Sequence, residues 1–223
     1  MFKGLIFDMD GVLVDSMPTH ARAIGILCER FGSPTWSGDV SQFAGVGPED
    51  VFRVLLPDQM REMGLAALDD EKERIFRKLF SAEAKLMPSL EPFLDQMKAH
   101  GIKCSVGSSG SRANVLLTWD KCGLEQWFET YVCCEDVTYC KPSPEIFLTA
   151  AERLGLRPEE CIVFEDAVAG IEAAKAAGMK VVTLTTTLPR ERLEAAGADL
   201  VIDSFSEVDY DCLCRLNGQW PKR

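Results

Sequence analysis

The sequence predicts an α/β protein with a Rossmann-like parallel sheet and an inserted helical domain. After residue 100, short apolar runs alternate with helical stretches, as in proteins whose parallel sheet is covered by helices on both faces. One further apolar run, residues 5–7, stands near the start of the chain, and residues 17–86 show only helical and loop patterns. We therefore expect a core domain of residues 1–16 and 87–223, with residues 17–86 inserted as a second domain.

Apolar residues at three- and four-residue steps predict the helices of the insertion. This spacing runs through residues 18–31 and again through 68–86, where it forms a charged amphipathic helix. Pro48 is suited to the first position of a helix between them, and residues 33–47 are rich in loop formers. A helical insertion directly after the first strand is suited to act as a lid over the end of that strand.

The core domain is predicted from short apolar runs that alternate with helical stretches ending at glycines. The strands are expected at residues 5–7, 102–106, 131–134, 161–164, 181–185 and 200–202. The helices are expected at residues 94–100, 112–121, 144–154 and 167–177. Because strands and helices alternate along most of this region, the strands should run parallel.

Composition and charge exclude several classes of partner. The chain has 223 residues, 47% of them hydrophobic, and a formal net charge of -11. Without a Lys/Arg cluster, neither nucleic acid nor an anionic membrane is expected as a partner. The sequence shows no export signal and no apolar run near the about 18 residues of a membrane span. We expect a cytoplasmic protein, as a monomer or weak homodimer.

The nine cysteines do not follow a metal-binding pattern. Their spacings do not repeat, and only His20 and His100 could join them as ligands. Cys104, Cys133 and Cys161 lie in apolar runs and are expected to be small buried hydrophobic residues. An odd number of thiols without an export signal predicts reduced cysteines.

Polar side chains follow four of these elements. Asp8 and Asp10 follow the first strand, Ser108 begins a Gly/Ser-rich turn, Lys141 lies in a loop before a helix, and Glu165 and Asp166 follow the strand at 161–164. Each alone has a simpler reading: a solvated acidic turn, a capping turn, a loop lysine, or acids favoured by a helix dipole. Together, carboxylates suit Mg²⁺, while a hydroxyl, a lysine and free amides suit a phosphoryl group. A carboxylate beside both is a candidate nucleophile.

Four segments carry a family resemblance. The segments DMDGVLVDS, VGSSGSR, CKPSPEIF and IVFEDAVAGIEAAKAAGM, in this order, resemble the motifs of the haloacid dehalogenase-like hydrolase superfamily. The insertion resembles the small α-helical cap of its β-phosphoglucomutase and phosphoglycolate phosphatase branch. The resemblance implies a Rossmann-like core with a cap domain and Mg²⁺ as cofactor.

The resemblance also implies a role for each candidate residue. Asp8 would be the nucleophile and a metal ligand, and Asp10 would be the general acid and base, with its backbone carbonyl on the metal. Ser108 would bind the transferring phosphoryl group, and Lys141 would neutralise negative charge. Asp166 would be a metal ligand, with Glu165 beside it. Gly11, Ser109 and His20 complete the site as substrate-binding residues, although His20 could equally be a structural helix residue.

These roles predict a Mg²⁺-dependent phosphatase that hydrolyses a small phosphorylated metabolite, such as a sugar or sugar-alcohol phosphate, through an aspartyl-phosphate. A β-phosphoglucomutase-type phosphomutase is the alternative, but Ala44 and Pro48 stand where the mutase has cations. Arg53 or Arg112 could replace them. The acid at Asp10 argues against a dehalogenase, whose halide leaving group needs no proton. A non-catalytic binding protein of the same fold is a further alternative, although every motif residue is present.

Overall fold

The computed structural model describes residues 2–37 and 48–218. The chain divides into two compact units. The first, here called the core unit, comprises Met1–Asp15 and Lys85–Arg223. The second, here called the helical unit, comprises Ser16–Ala84. Within the core unit, the chain leaves and returns at neighbouring points. The Met87 amide donates a hydrogen bond to the Leu13 carbonyl at 2.8 Å.

The core unit contains a six-stranded parallel sheet, which confirms the predicted fold class. The strands are β1 Gly4–Phe7, β2 Lys103–Gly107, β3 Phe128–Val132, β4 Cys161–Glu165, β5 Lys180–Leu184 and β6 Leu200–Ile202. Their order in the sheet is β3-β2-β1-β4-β5-β6. Strand β1 is therefore central, and its parallel neighbours β2 and β4 end at the same edge. Ligands of such sheets bind outside the carboxyl ends of the strands.

Strand β3 begins three residues before the predicted run at 131–134. It lies at one edge of the sheet. Its middle residues, Glu129 to Tyr131, are partly or fully exposed, so that only its ends are apolar and buried. An apolar run therefore marks a central strand such as β1, which is buried on both faces, better than an edge strand.

Ten α-helices accompany the sheet in the described residues. The helical unit contains α1 Met17–Phe31, α2 Pro48–Leu55, α3 Pro57–Met63 and α4 Leu65–Glu83, and its described residues form no strand. The core unit contains α5 Leu90–Ala99, α6 Arg112–Cys122, α7 Glu145–Arg153, α8 Val168–Ala176, α9 Arg190–Ala195 and α10 Tyr210–Leu216. The sequence did not predict α3, α9 and α10, which have only six or seven residues each and so carry little periodic signal. None of the described helices has the length and apolar content needed to cross a membrane.

Two apolar layers hold β1 in place. On one face, the Phe7 ring stacks on Phe164 at 4.8 Å and contacts Phe93, Phe128 and Phe205. On the other face, Ile6 belongs to a buried cluster with residues of β4, α7 and α8. Packing on both faces fixes the end of β1, and therefore the position of the residue that follows Phe7.

The cysteines depart from the prediction in one place. Cys104, Cys133 and Cys161 are buried, as predicted. Cys134 and Cys140, in contrast, form a disulfide with their Cα atoms 5.9 Å apart, so the prediction of reduced thiols is wrong for this pair. The short turn at Cys134–Asp136 folds the loop between β3 and α7 back on itself, which brings the two residues together.

Candidate active site

Three buried carboxylates meet at the ends of β1 and β4. Asp8 follows β1, Glu165 ends β4, and Asp166 comes next. Because Phe7 lies opposite Phe164 in the sheet, Asp8 and Glu165 are at the same level. One oxygen from each of the three carboxylates lies within 4.8 Å of the others. The Asp8 amide donates to the Phe164 carbonyl at 2.9 Å, which continues the strand pairing to the nucleophile candidate itself.

Lys141 supplies a positive charge to this group of acids. Its Nζ donates to Asp8 Oδ1 and to Glu165 Oε1, both at 2.5 Å. The side chain is only 6% exposed, and its Nζ lies 4.8 Å from the centre of the Phe147 ring. Lys141 thus joins the ends of β1 and β4 from the loop between β3 and α7, 133 residues away from Asp8 in the chain.

The second oxygen of Glu165 is held by the backbone. Oε2 accepts hydrogen bonds from the backbone amides of Asp166, at 2.9 Å, and Ala167, at 3.2 Å, just before α8. This position depends on Gly170, because a Cβ there would lie 1.9 Å from the Glu165 carboxyl carbon. The glycine in the first turn of α8 is therefore part of how the site is built.

The electrostatics of the site favour an added cation. Burial raises the pKa of the Asp8 carboxyl well above its ordinary value, and Lys141 only partly opposes this. Burial and the neighbouring Glu165 raise the pKa of Asp166 to about 7. Burial opposes the charge on Lys141, but Asp8 and Glu165 outweigh it and hold the lysine pKa above its usual value. The three carboxylates offer oxygen ligands and carry more negative charge than the single lysine can balance, so the group fits a hard divalent cation such as Mg²⁺.

Ser108, which follows β2, and Asp10, which lies after β1, are both close to Gly110. Ser108 is buried, and its Oγ accepts a hydrogen bond from the Gly110 amide at 2.9 Å. A Cβ on Gly110 would lie 3.1 Å from Ser108 Oγ and 3.7 Å from Asp10 Oδ2. Asp10 is half-buried and close to the serine turn, and it does not belong to the buried group of Asp8, Glu165 and Asp166 that could hold a metal ion. Ser109, the next residue after Ser108, is exposed.

Gly11 lets the acidic turn after β1, which carries Asp8 and Asp10, pack against the acidic turn at the end of β4, which carries Glu165 and Asp166. It has a φ of +76°, which glycine adopts without strain, and a Cβ there would lie 2.0 Å from Asp166 Oδ2. Two threonines that the sequence reasoning missed complete this contact. Thr186 Oγ1 donates to the Gly11 carbonyl at 2.6 Å, and Thr187 Oγ1 donates to Asp166 Oδ2. The run of three threonines at 185–187, which begins at the last residue of the predicted strand 181–185, was the available signal.

The remaining candidates are placed as follows. His20 lies on α1 of the helical unit, where its ring stacks on Phe76 at 3.7 Å. Ala44, one of the two residues that stand where the mutase has cations, lies outside the described residues. Arg53 pairs with Glu49 at 2.6 Å within α2. Arg112, on α6, pairs with Asp136 at 2.8 Å. Both arginines that could replace the mutase cations are therefore engaged with carboxylates of their own unit.

Comparison with known proteins gives a consistent family. The model of the haloacid dehalogenase-like hydrolase family matches residues 5–184. Fructose-1-phosphate phosphatase YqaB of Escherichia coli is 33% identical over 200 residues, covering 81% of this chain and 95% of that protein. The phosphorylated carbohydrates phosphatase of Thermotoga maritima is 34% identical over 182 residues, covering 80% and 82%. The crystal structure of β-phosphoglucomutase from Clostridium difficile superposes with a TM-score of 0.81, at 26% identity and 98% coverage of both chains.

Proposed function

Because the chain belongs to the haloacid dehalogenase-like hydrolase family, we propose that it is a Mg²⁺-dependent phosphatase that acts through an aspartyl-phosphate on Asp8. Its substrate is a small phosphorylated metabolite of the sugar or sugar-alcohol class. The observation that carries the proposal is the contact of Asp8 with Lys141 beside Glu165 and Asp166, at the carboxyl edge of the sheet. A nucleophile, a cation and spare carboxylates together are what phosphoryl transfer to a carboxylate requires.

The metal would be held by Asp8 and Asp166, with Glu165 beside them and the backbone carbonyl of Asp10 as a further ligand. When bound, Mg²⁺ supplies positive charge against the phosphoryl oxygens. Lys141 adds a second positive charge, which lowers the pKa of the Asp8 carboxyl against the larger, opposite effect of burial. Both effects favour the form of Asp8 that can attack phosphorus.

In the first half-reaction, a carboxylate oxygen of Asp8 attacks the phosphorus of the ester. An O–P bond forms on Asp8 while the P–O bond to the substrate alcohol breaks. Asp10 donates its proton to the departing oxygen, so the product leaves as a neutral alcohol. Ser108 Oγ accepts a hydrogen bond from the Gly110 amide, and its own hydroxyl can donate one to a phosphoryl oxygen.

In the second half-reaction, Asp10 acts as a base. It takes a proton from a water molecule, whose oxygen attacks the phosphorus and releases inorganic phosphate and the Asp8 carboxylate. The site at the half-buried Asp10 is suited to both steps, since this carboxyl lies near Ser108 but outside the buried metal-binding group. A carboxyl outside the group that would hold the cation can carry a proton when the alcohol leaves.

The substrate class rests on the relatives. The two related phosphatases act on fructose 1-phosphate and on phosphorylated carbohydrates, which supports a sugar phosphate here. We place the selection of substrate in the helical unit, with His20 as a candidate contact, and phosphate contacts at Gly11 and Ser109. The phosphomutase is the second candidate, because β-phosphoglucomutase shares the fold over nearly the whole chain. The pairing of Arg53 and Arg112 with carboxylates favours the phosphatase.

The test is phosphate release from a panel of esters in the presence of Mg²⁺. The panel contains hexose 1- and 6-phosphates, sugar-alcohol phosphates, phosphoglycolate, glycerol phosphates and nucleotides. We expect release that prefers the sugar or sugar-alcohol group and that is abolished in Asp8→Asn. Interconversion of β-glucose 1-phosphate and glucose 6-phosphate without phosphate release would instead identify the mutase. Normal turnover by Asp8→Asn would refute the mechanism for either enzyme.

A further inference from the structure

Three consecutive threonines follow β5, and each hydroxyl has a different partner. Thr185 Oγ1 donates to Asp203 Oδ1 at 2.7 Å, in an exposed contact. Thr186 Oγ1 donates to the Gly11 carbonyl at 2.6 Å. Thr187 Oγ1 donates to Asp166 Oδ2. The second and third residues of this segment therefore reach the two acidic turns of the site, and the first does not.

The loop that carries these threonines is anchored at both ends. It begins at the end of β5, where the Thr185 amide donates to the Ile202 carbonyl at 3.1 Å. On its other side, Leu188 is buried in the core cluster, and Arg190 Nη1 donates to the Val201 carbonyl at 2.8 Å. A loop held in this way can fix the direction of the hydroxyls that it carries.

Gly11 packs closely against the Asp166 carboxylate and the Thr187 hydroxyl. A Cβ at Gly11 would meet Asp166 Oδ2 at 2.0 Å and Thr187 Oγ1 at 3.1 Å. Thr186 Oγ1 also lies 3.4 Å from Asp166 Oδ2, but its single proton goes to the nearer Gly11 carbonyl. The carboxylate of Asp166 is thus enclosed by Gly11 on one side and the Thr187 hydroxyl on another, which leaves it little freedom to rotate.

We propose that Thr186 and Thr187 are positioning residues for the divalent cation: Thr187 orients the Asp166 carboxylate, and Thr186 holds the Gly11 turn against it. This inference rests on the proposed function, since the cation is the one assigned there to Asp8 and Asp166. Partners that orient metal ligands typically contribute about 10–100-fold in metal affinity when they are lost. Neither threonine touches the reacting atoms, so their effect is on binding of the metal.

The experiment measures Mg²⁺ binding directly, by calorimetric titration of MgCl₂ into the substrate-free protein. Thr187→Val keeps the side-chain volume and removes the hydroxyl. We expect it to weaken Mg²⁺ binding at least about tenfold. Thr187→Ser, which restores the hydroxyl, should bind nearly as tightly as the wild type. Thr185→Val is the matched control in the same segment and should leave the affinity unchanged. Thr186→Val should weaken binding as well.

Steady-state kinetics separate positioning from general damage. In Thr187→Val, the Mg²⁺ concentration for half-maximal activity should rise in parallel with the Kd, while the KM for the ester at saturating Mg²⁺ stays within about twofold of the wild type. Wild-type affinity in Thr187→Val, or an equal loss in Thr187→Ser and Thr187→Val, would overturn the role of Thr187. Wild-type affinity in Thr186→Val would overturn that of Thr186. If the wild type itself bound no Mg²⁺, the metal-dependent mechanism would fail, and the positioning role with it.

Discussion

At the scale of single residues, Lys141 decides the charge state of the site. Its Nζ contacts two buried carboxylates at 2.5 Å each, and hydrogen bonds between oppositely charged groups are stronger than neutral ones. Burial alone disfavours an ionised Asp8, and the lysine charge works in the opposite direction. A nucleophilic carboxylate in this position therefore depends on Lys141 and on the cation for its ionised form.

Replacing Lys141 with Met tests this dependence. Without the lysine charge the pKa of Asp8 rises further, so we expect the acid limb of the kcat/KM profile to move to higher pH. At its optimum the variant should still lose at least about 100-fold in kcat, since a charge opposite the phosphoryl group is missing. The pH dependence of phosphate release measures both. Lys121→Met, at an exposed position on α6, is the control and should keep the wild-type profile; an unchanged acid limb in Lys141→Met would contradict the role of the lysine.

Gly170 is a second residue whose effect can be tested. In Gly170→Ala the new methyl group would overlap the Glu165 carboxyl group, which must then leave Lys141 or the amides of Asp166 and Ala167. We expect a stability loss of about 1–3 kcal/mol, as for other strained packing changes, together with reduced activity. Denaturant unfolding and phosphate release measure the two effects. Full activity and unchanged stability would show that the site does not need this close approach.

At the scale of elements, the loop between β3 and α7 carries Lys141 and is held by Asp136. This carboxylate accepts a hydrogen bond from Nη2 of Arg112, the first residue of α6, at 2.8 Å, and another from the Cys133 amide at 3.0 Å. Arg153 Nη2, at the end of α7, lies 3.1 Å from it. Asp136 therefore connects two helices and the end of a strand at the base of this loop.

Asp136→Asn should reveal the contribution of this connection. Burial opposes the charge on Asp136, but the hydrogen bonds from Arg153 and Arg112 hold its pKa below the ordinary value. The folded state therefore binds fewer protons than the unfolded state, and the stabilisation is present above about pH 4 and lost as the pH falls through the native pKa. At neutral pH we expect a loss of about 2 kcal/mol in the free energy of unfolding.

Urea unfolding at several pH values measures this prediction. The difference between wild type and Asp136→Asn should shrink as the solution becomes acidic, because the wild-type carboxylate is then protonated too. Asp120→Asn, at an exposed position on α6, should have little effect at any of these pH values. A difference independent of pH would mean that the charge of Asp136 is not what stabilises the loop.

At the scale of the whole molecule, a cation should stabilise the fold, and more so at higher pH. The raised pKa values of Asp8 and Asp166 mean that the folded state without metal keeps protons that the unfolded state has released. The free energy of unfolding of the metal-free protein therefore falls as the pH rises from about 4 towards 7. Mg²⁺ binds the ionised carboxylates and so restores stability over this range.

Thermal unfolding with MgCl₂ or with EDTA tests this expectation. At Mg²⁺ concentrations about 100 times the Kd, the stabilisation is about 2.7 kcal/mol, which corresponds to about 5–10 °C in Tm for a chain of this size. The shift should be larger at about pH 8 than at about pH 5, where protons compete for the carboxylates. NaCl at equal ionic strength controls for screening. A shift of the same size at both pH values, or an equal shift with NaCl, would contradict binding at these acids.

The sequence by itself determined the parallel α/β core, the helical insertion and the strand ends that bear Asp8, Ser108, Glu165 and Asp166. These follow from local signals, since apolar runs, helical spacing and glycine stops act over a few neighbouring residues. The short helices and the edge strand β3 carry weak local signals, and for that reason their bounds were missed or shifted.

Only the tertiary structure decided which side chains touch. That Lys141 reaches Asp8 across 133 residues, that Thr187 binds Asp166, and that Gly170 makes room for Glu165 depend on the strand order and on packing between distant elements. The Cys134–Cys140 disulfide likewise depends on the path of a loop. Local periodicity predicts where a side chain leaves its own strand, but the neighbours it meets there are set by the order in which all the strands assemble.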